Sequence, residues 1–563
     1  MKIDKYAEIL GEWSDGMGHP MDMKKVLLLN EEIRKSEIQS NFILFIQVKD
    51  TEGNPLLAEL RVYPLPEDSW CGEFDGTDRR IEEAYGTGTM DFIRTVTDET
   101  GYAAIFLQPG WYQVEAAKGS AYSVEAKRFC LQETQTILNY TLKPMPKEAK
   151  NGWYAGDIHH HSVFSSRLYA GTDPVIETPV QIRDSMRAAG LDFGALSDHH
   201  NVFDHDLWAR TKTDDFTPIL SKEISTGNGH VISLNVKKNA DVIYRIGTEE
   251  ERTDEYLRGE FIRITDEIRE LGGMPQLNHP RDPQKAISWN PDFMDIITIF
   301  DTMEIWNGSK PMFPKSSSAN AAAMWVDKLE NGVYLPGTTG SDTHNIRCDD
   351  YKEFYRDTLK LLDKLNGLKE GDPLLDDEGV QEFIKISGRL LPVFEKWAKR
   401  NLSSGGVRTF VHMDSFEDGD DLTAEMKKGH MTLSDGPLLF PVMETDGENS
   451  AEENTGACVG KSGRNYILPG DKTTGPGTIH VNLHTNRRLK TMRLLKKGRL
   501  TADYSLAPFE KDCGGYMDYS HDLTPQMLSD MGMAWKEEDY LVMIAFDDCT
   551  NIAIANPFFV GKR

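Results

Sequence analysis

The sequence predicts an α/β protein whose central segment carries the chemistry and whose flanks are β-rich. Three observations predict it. Between Trp153 and His344, short apolar runs with strand character alternate with helix-like stretches. On either side, short alternating runs are separated by turn residues. Eight of the fifteen histidines fall between positions 159 and 279, and they sit at the ends of the central strands. At this level the central segment fits either an α/β barrel or a doubly wound sheet.

The elements follow in order. Residues 1–38 are a polar, partly helical lead. Residues 39–147 contain FILFIQVKD, AELRVYPL, AAIFLQPG, WYQVEAA and TILNYTLKP, divided by DTEGNP, TDETGY and QPG. That texture predicts a small antiparallel β-sandwich, and the segment resembles carboxypeptidase-regulatory-like accessory modules. Residues 150–440 carry the strand–helix rhythm. GWYAGDIH, LDFGALSDH, TPILSKEIS, GMPQLNHP, TMEIWNG and VYLPGTTGSDTH read as strands with their exits. TPVQIRDSMRAAG and TDEYLRGEFIRITDEIRELG read as amphipathic helices. A helical insertion is expected at 350–402, as a lid or a structural excursion. Residues 441–563 form a closing β domain, with TIHVNLHT, YLVMIAF and AIANPFFV as its strands.

Composition excludes several classes. The chain has 563 residues, with 63 basic and 90 acidic side chains and a net charge of −27. Such a surface repels phosphate backbones, so nucleic-acid binding is not expected. No apolar run approaches the roughly 18 residues needed to span a bilayer. The N-terminal MKIDKYAEILGEW lacks the apolar core of a signal peptide. A cytoplasmic protein with a small-molecule substrate is the expectation, and oligomeric state is not legible. The six cysteines form no CxxC pair, which reads as reduced thiols rather than a disulfide framework.

The chemistry lies in spacing. In GDIHHHS, residues i and i+2 of an extended chain share a side, so His159 and His161 can grip one ion while His160 points away. Ser197-Asp198-His199 ends a second strand, and Glu223 ends a third with His230 following. Asn278-His279-Pro280 ends another, and Asp342 with His344 ends the last. Neutral imidazoles mixed with carboxylates suit zinc, manganese or iron. Seven or eight ligands exceed the needs of one ion and suit a cluster about 3.5–4 Å apart. Trp306 and Asn307 end a strand and are candidates to line the pocket. Arg281 is a candidate clamp for an anionic group, as are Arg167, Arg347 and Arg408. Asp198 and His200 are the candidates for proton transfer. His205 neighbours the candidate ligands, as a supporting or substrate contact or as a plain loop residue, and His412, His430, His480, His484 and His521 read as surface or core residues.

The ordered set DIHHHS, SDHHN, KEISTGNGH, NHP and GSDTH resembles the PHP (polymerase and histidinol phosphatase) family. The surrounding EIWNG, RTFV and NPFFV elements resemble its CehA/McbA branch. The resemblance implies a distorted (β/α)7 TIM-like barrel flanked by N- and C-terminal β-sandwich-like domains. It also implies a metal-dependent hydrolase using a hydroxide bridged by two, or three, divalent ions. His159, His161, His199, Glu223, His230, His279, Asp342 and His344 are the ligands by motif, with Glu223 bridging. Trinuclear members carry a further His or acid soon after the first pair, and SVFSSRLYA offers neither, so two ions are expected. The wider family implies a phosphoester substrate and the closer branch a carbamate, ester or amide. A binding protein with structural metals is the reading from a different class. No GxSxG motif or Cys–His pair offers a covalent nucleophile.

Overall fold

The computed structural model describes residues 42–65, 93–146, 152–165, 177–283, 287–308, 316–344, 404–445, 465–473, 475–548 and 551–561, with a few shorter pieces. Most of the lead at 1–38 and of the helical segment expected at 350–402 lies outside the described residues.

The central segment opens with β1 (Trp153–Asp157), α1 (Pro179–Ala188), β2 (Phe193–Leu196) and β3 (Thr217–Leu220). These three strands pair in parallel. It continues through β4 (Glu223–Thr226), β5 (Gly229–Leu234), α2 (Asp254–Glu270), β6 (Met274–Asn278), β7 (Thr302–Asn307), α3 (Ser317–Glu330) and β8 (Gly337–Gly340). Strands β6, β7 and β8 are parallel, whereas β4, β5 and β6 alternate in direction. Farther along come β9 (Arg408–His412), α4 (Gly419–Lys428) and β10 (Met431–Ser434).

Local chemistry explains the helices. The Thr178 hydroxyl accepts the Gln181 N–H, and the Gln181 side chain accepts the Thr178 N–H, which closes a capping box on α1. Thr253 caps α2, and Phe261, Ile264 and Ile268 recur at three- and four-residue spacing to bury one face. Gly429, at φ +86°, ends α4 in the left-handed conformation that a side chain resists. Strands β2, β6, β7 and β8 are buried along their whole length, as parallel strands covered on both faces must be.

A closed barrel is not formed by the hydrogen bonding of the described residues. The strands make two sheets, β3-β2-β1-β9-β10, which runs on into the C-terminal strands, and β4-β5-β6-β7-β8. Two features open the ring. The β4–β5 hairpin is antiparallel where a barrel repeats parallel strands, and β9 takes the free edge of β1 in antiparallel pairing. The sheets meet at the strand exits through single bridges, His160 with Thr343 and His199 with Glu223. The fold is mixed α/β, and the strand ends converge where the histidines lie.

Upstream, a three-stranded sheet (Phe42–Asp50, Tyr102–Leu107, Gln135–Leu142) and a four-stranded sheet (Glu59–Leu65, Ile93–Val96, Gly110–Ala117, Glu125–Leu131) enclose one apolar cluster. Leu44, Ile46, Leu60, Val62 and Val114 belong to it. This unit is fastened to α1: Lys118 Nζ donates to the carbonyls of Leu57 and Arg187 at 2.9 and 3.0 Å. Downstream, the six-stranded sheet that includes Leu438–Thr445, Thr478–Thr485 and Met517–Leu523 packs its core with the end of the long sheet. Cys130 and Cys513 are free thiols. Among the described residues no helix is long and apolar enough to cross a membrane.

Glu59 supplies a pH test of the upstream unit. Burial pushes its carboxyl up, but the guanidiniums of Arg61 and Arg94 outweigh it and hold the group at about 2. A folded-state value below the unfolded one of about 4.3 contributes stability fully present above that pH and lost as pH falls towards about 2. Glu59→Gln is therefore expected to melt below the wild type at neutral pH, by circular dichroism, with the gap narrowing through that window. A gap independent of pH contradicts the ion-pair account.

Candidate metal centre

The exits of β1, β2, β6, β7 and β8 deliver polar side chains, β4 and β5 bring Glu223 and His230 at their starts, and Glu223 stands where they converge. Its Oε1 lies 3.1 Å from His279 Nε2, 3.2 Å from His230 Nδ1 and 3.5 Å from His159 Nε2. The same oxygen accepts the Asn278 amide at 2.7 Å. Its Oε2 faces a different set, His199 Nδ1 at 3.1 Å and His161 Nε2 at 3.5 Å. Asp342 Oδ1 lies 3.1 Å from His161 Nε2 and 3.3 Å from His159 Nε2. The His344 ring stacks on His161 with centroids 4.0 Å apart.

Three donor groups result, each with its ligand atoms within 4.8 Å of one another: His159 with Glu223 and His279, His161 with His199 and His344, and His159 with His161 and Asp342. Backbone strain concentrates here. His200, His279 and Asp342 have φ of +59°, +21° and +51°, costly for residues with a side chain. Each is pinned through its own N–H: His200 to Glu223 O, His279 to Glu304 Oε2 and Asp342 to His159 O.

The electrostatics call for positive charge. Burial pulls the His159 imidazole down, yet Asp342, Glu304 and Glu223 together raise it well above its usual value. His279 is raised in the same way, against burial, by Glu223 and Glu304. Burial acts to raise Glu223 and Asp342, but the surrounding imidazoles hold both well below the carboxylate range. His161 is lowered by burial and by His344 and His199. Buried His159 Nε2 and His279 Nδ1 make no hydrogen bond of good geometry among the described residues. Buried carboxylates and imidazoles, two ring nitrogens of which make no hydrogen bond of good geometry, are a donor set that fits borderline divalent ions.

The expected residues divide. His159, His161, His199, Glu223, His279, Asp342 and His344 come together. His230 touches Glu223 Oε1 but belongs to none of the three groups. His160 points away: its Nδ1 donates to His161 O at 3.0 Å and its Nε2 accepts the Ser404 hydroxyl at 3.0 Å. Burial lowers that ring to about 3. His205 is likewise a tie, between Ser221 O and the Asn239 N–H. Asp198 is taken up by Ser162, whose N–H donates to Oδ1 at 2.6 Å and whose hydroxyl meets Oδ2. Burial raises its carboxyl to about 6. His200 sits beside His199, centroids 5.8 Å apart, and burial lowers it to about 3.

Of the three substrate candidates, Asn307 reaches the centre, its Nδ2 donating to Asp342 Oδ2 at 3.2 Å and to Glu304 Oε2 at 3.1 Å. Trp306 is fully buried in the apolar cluster with Phe293, Phe300 and Trp325. A register shift on β7 between Glu304 and Trp306 turns the ring inward. Arg281 is exposed in the turn after His279, and no contact of its side chain with the donor groups is seen among the described residues.

Sequence reasoning missed Glu304, which accepts His159 Nδ1–H at 2.9 Å from the middle of an apolar strand. A lone carboxylate in TMEIWN was the available signal, because a buried charge needs partners. It also missed Ser225, 2.7 Å from His199 Nδ1, which carried no such signal.

No family model and no curated protein matches the chain. Among solved structures, one described as a candidate metal-dependent phosphoesterase from Bifidobacterium adolescentis aligns at 16% identity and a TM-score of 0.25. The alignment covers 34% of this chain and 87% of that one. An amidohydrolase from Chromobacterium violaceum aligns at 15% identity and a TM-score of 0.23, over 34% of this chain and 87% of its own. Likeness at this level carries no argument, so the functional reading rests on the donor geometry.

Proposed function

We propose that the chain is a metal-dependent hydrolase of the PHP type, from its CehA/McbA-like branch, acting on a phosphoester. Residues 150–440 are its catalytic unit, arranged as a distorted relative of the (β/α)7 barrel, with 39–147 and 441–563 as sandwich-like accessories. The observation that carries the reading is Glu223, whose two carboxylate oxygens face two separate sets of histidines. His159, His279 and Glu223 Oε1 would hold one ion, and His161, His199 and His344 the other, with Asp342 reaching between them. Zinc, manganese or iron suits these donors.

Bound divalent ions would supply activated water at neutral pH and polarise the bond to be cut. The chain's own residues do the rest. The three carboxylates of Glu223, Asp342 and Glu304 would be outweighed by two dications, and a centre so loaded would suit an anionic phosphoryl group. Burial of the histidine rings keeps bulk water from screening that charge. Asp198 holds the turn after His161 through Ser162. His200, half-buried beside His199 and outside the donor groups, is assigned to proton transfer.

The test loads the purified protein with manganese or zinc and compares aryl phosphomonoesters and phosphodiesters with an aryl carbamate and an aryl ester. Metal-dependent release from a phosphoester is expected. Turnover of the carbamate or ester alone moves the reading to the carbaryl-hydrolase type, and tight metal retention with no turnover moves it to a metal-containing binding protein. His159→Ala and Asp342→Ala are expected to lose metal and turnover. His484→Ala, on a C-terminal strand paired with Asp518, is expected to change neither. Equal activity in all three contradicts the site.

A further inference from the structure

We propose that Glu304 is a positioning residue of this centre, one carboxylate that sets ligands arriving from three separate strand exits. The proposal rests on the metal reading above and adds a residue that no ligand motif contains.

The geometry is specific. Oε1 of Glu304 accepts the His159 Nδ1–H at 2.9 Å. With Nδ1 committed as a donor, Nε2 is the nitrogen left to face Glu223 and Asp342, and that is where it lies. A carboxylate behind a histidine fixes its tautomer and raises its basicity as a ligand. Oε2 accepts the His279 N–H at 2.8 Å, and this bond holds His279 at φ +21°. Oε2 also accepts Asn307 Nδ2 at 3.1 Å, and the same amide donates to Asp342 Oδ2 at 3.2 Å. Glu304 thus orients His159 through its ring, His279 through its backbone and Asp342 through Asn307. Glu304 is itself fully buried, so its charge is satisfied by these groups and not by water.

Gly340, at the end of β8, is an independent sign of the same unit. A Cβ built there would stand 2.2 Å from the His159 Cβ and 2.4 Å from Glu304 Oε1. The absent side chain is the space in which the Glu304–His159 pair fits. Any larger residue at position 340 would part the pair or displace the ring.

The test measures metal affinity in the full chain by competition with a chromophoric chelator, using zinc. Glu304→Gln keeps the shape and removes the charge. It is expected to weaken zinc binding by about 10–100-fold, with the metal-free melting temperature close to wild type. Gly340→Ala is expected to weaken it in the same direction. Affinity within threefold of wild type in a folded Glu304→Gln overturns the proposal. Should that variant fail to fold, imidazole nitrogen NMR of the zinc-loaded wild type decides, with His159 identified by its loss in His159→Gln. A proton on Nδ1 and zinc on Nε2 is expected, and an unprotonated Nδ1 overturns the proposal. A wild type that binds no zinc would instead sink the metal reading itself, so the two failures are distinguishable.

Discussion

Glu223→Ala is expected to lower metal affinity by more than the roughly 100-fold seen when an outer-shell partner is lost, and to leave no turnover. The reason is its position between the two histidine sets. Removing a peripheral donor such as His344 leaves two of its three group members in place. Removing Glu223 takes a donor from beside His159, His230 and His279 and, at the same time, from beside His161 and His199. It also leaves the Asn278 amide without its acceptor in a buried site, which adds a desolvation cost of about 1–3 kcal/mol. Zinc titration and metal analysis after dialysis read the outcome. Retention of two equivalents by Glu223→Ala would show that the histidines do not need the carboxylate, and the bridging role would be lost.

Trp306→Ala is expected to cost about 3–5 kcal/mol of stability. The ring is fully buried among Phe293, Phe300 and Trp325, and truncation leaves a cavity that the sheet cannot close. Its Nε1 has no hydrogen-bond partner among the described residues, so the loss is one of packing. The milder Trp306→Phe is expected to shift the denaturation midpoint and leave metal content and KM unchanged. A KM change of tenfold or more with unaltered stability would return Trp306 to the substrate pocket.

The contrast between Trp306 and its neighbours shows what a sequence can reveal. His159 and His161 were legible because alternation in an extended chain is a local rule, and the turn after β1 obeys it. Asp342 and His344 were legible because they end an apolar strand, although Asp342 departs from the extended chain at φ +51°. Trp306 obeys a rule that the chain breaks. By simple alternation it shares a side with Glu304, but the irregularity between the two reverses it, and nothing in TMEIWN announces a bulge. Glu304 was visible as a charge in an apolar strand and as the first residue of EIWNG, neither of which gave it a role, and its partners His159, His279 and Asn307 become neighbours only when β1, β6 and β7 are brought together. The strand–helix rhythm revealed the α/β character but not the connectivity. TPILSKEIS reads as one strand; in the fold it is two, β3 and β4, assigned to different sheets with Ser221 and Lys222 between them. The Gly227-Asn228-Gly229 turn then sends β5 back antiparallel, which is why a continuous barrel does not close.

The measurement that tests the central claim most directly is anomalous diffraction at the metal edge, on crystals of protein loaded with zinc or manganese. The account predicts two peaks about 3.5–4 Å apart, one beside His159 and His279 on the Oε1 side of Glu223, the other beside His161 and His199 on the Oε2 side. A single peak, or none after loading, would contradict it.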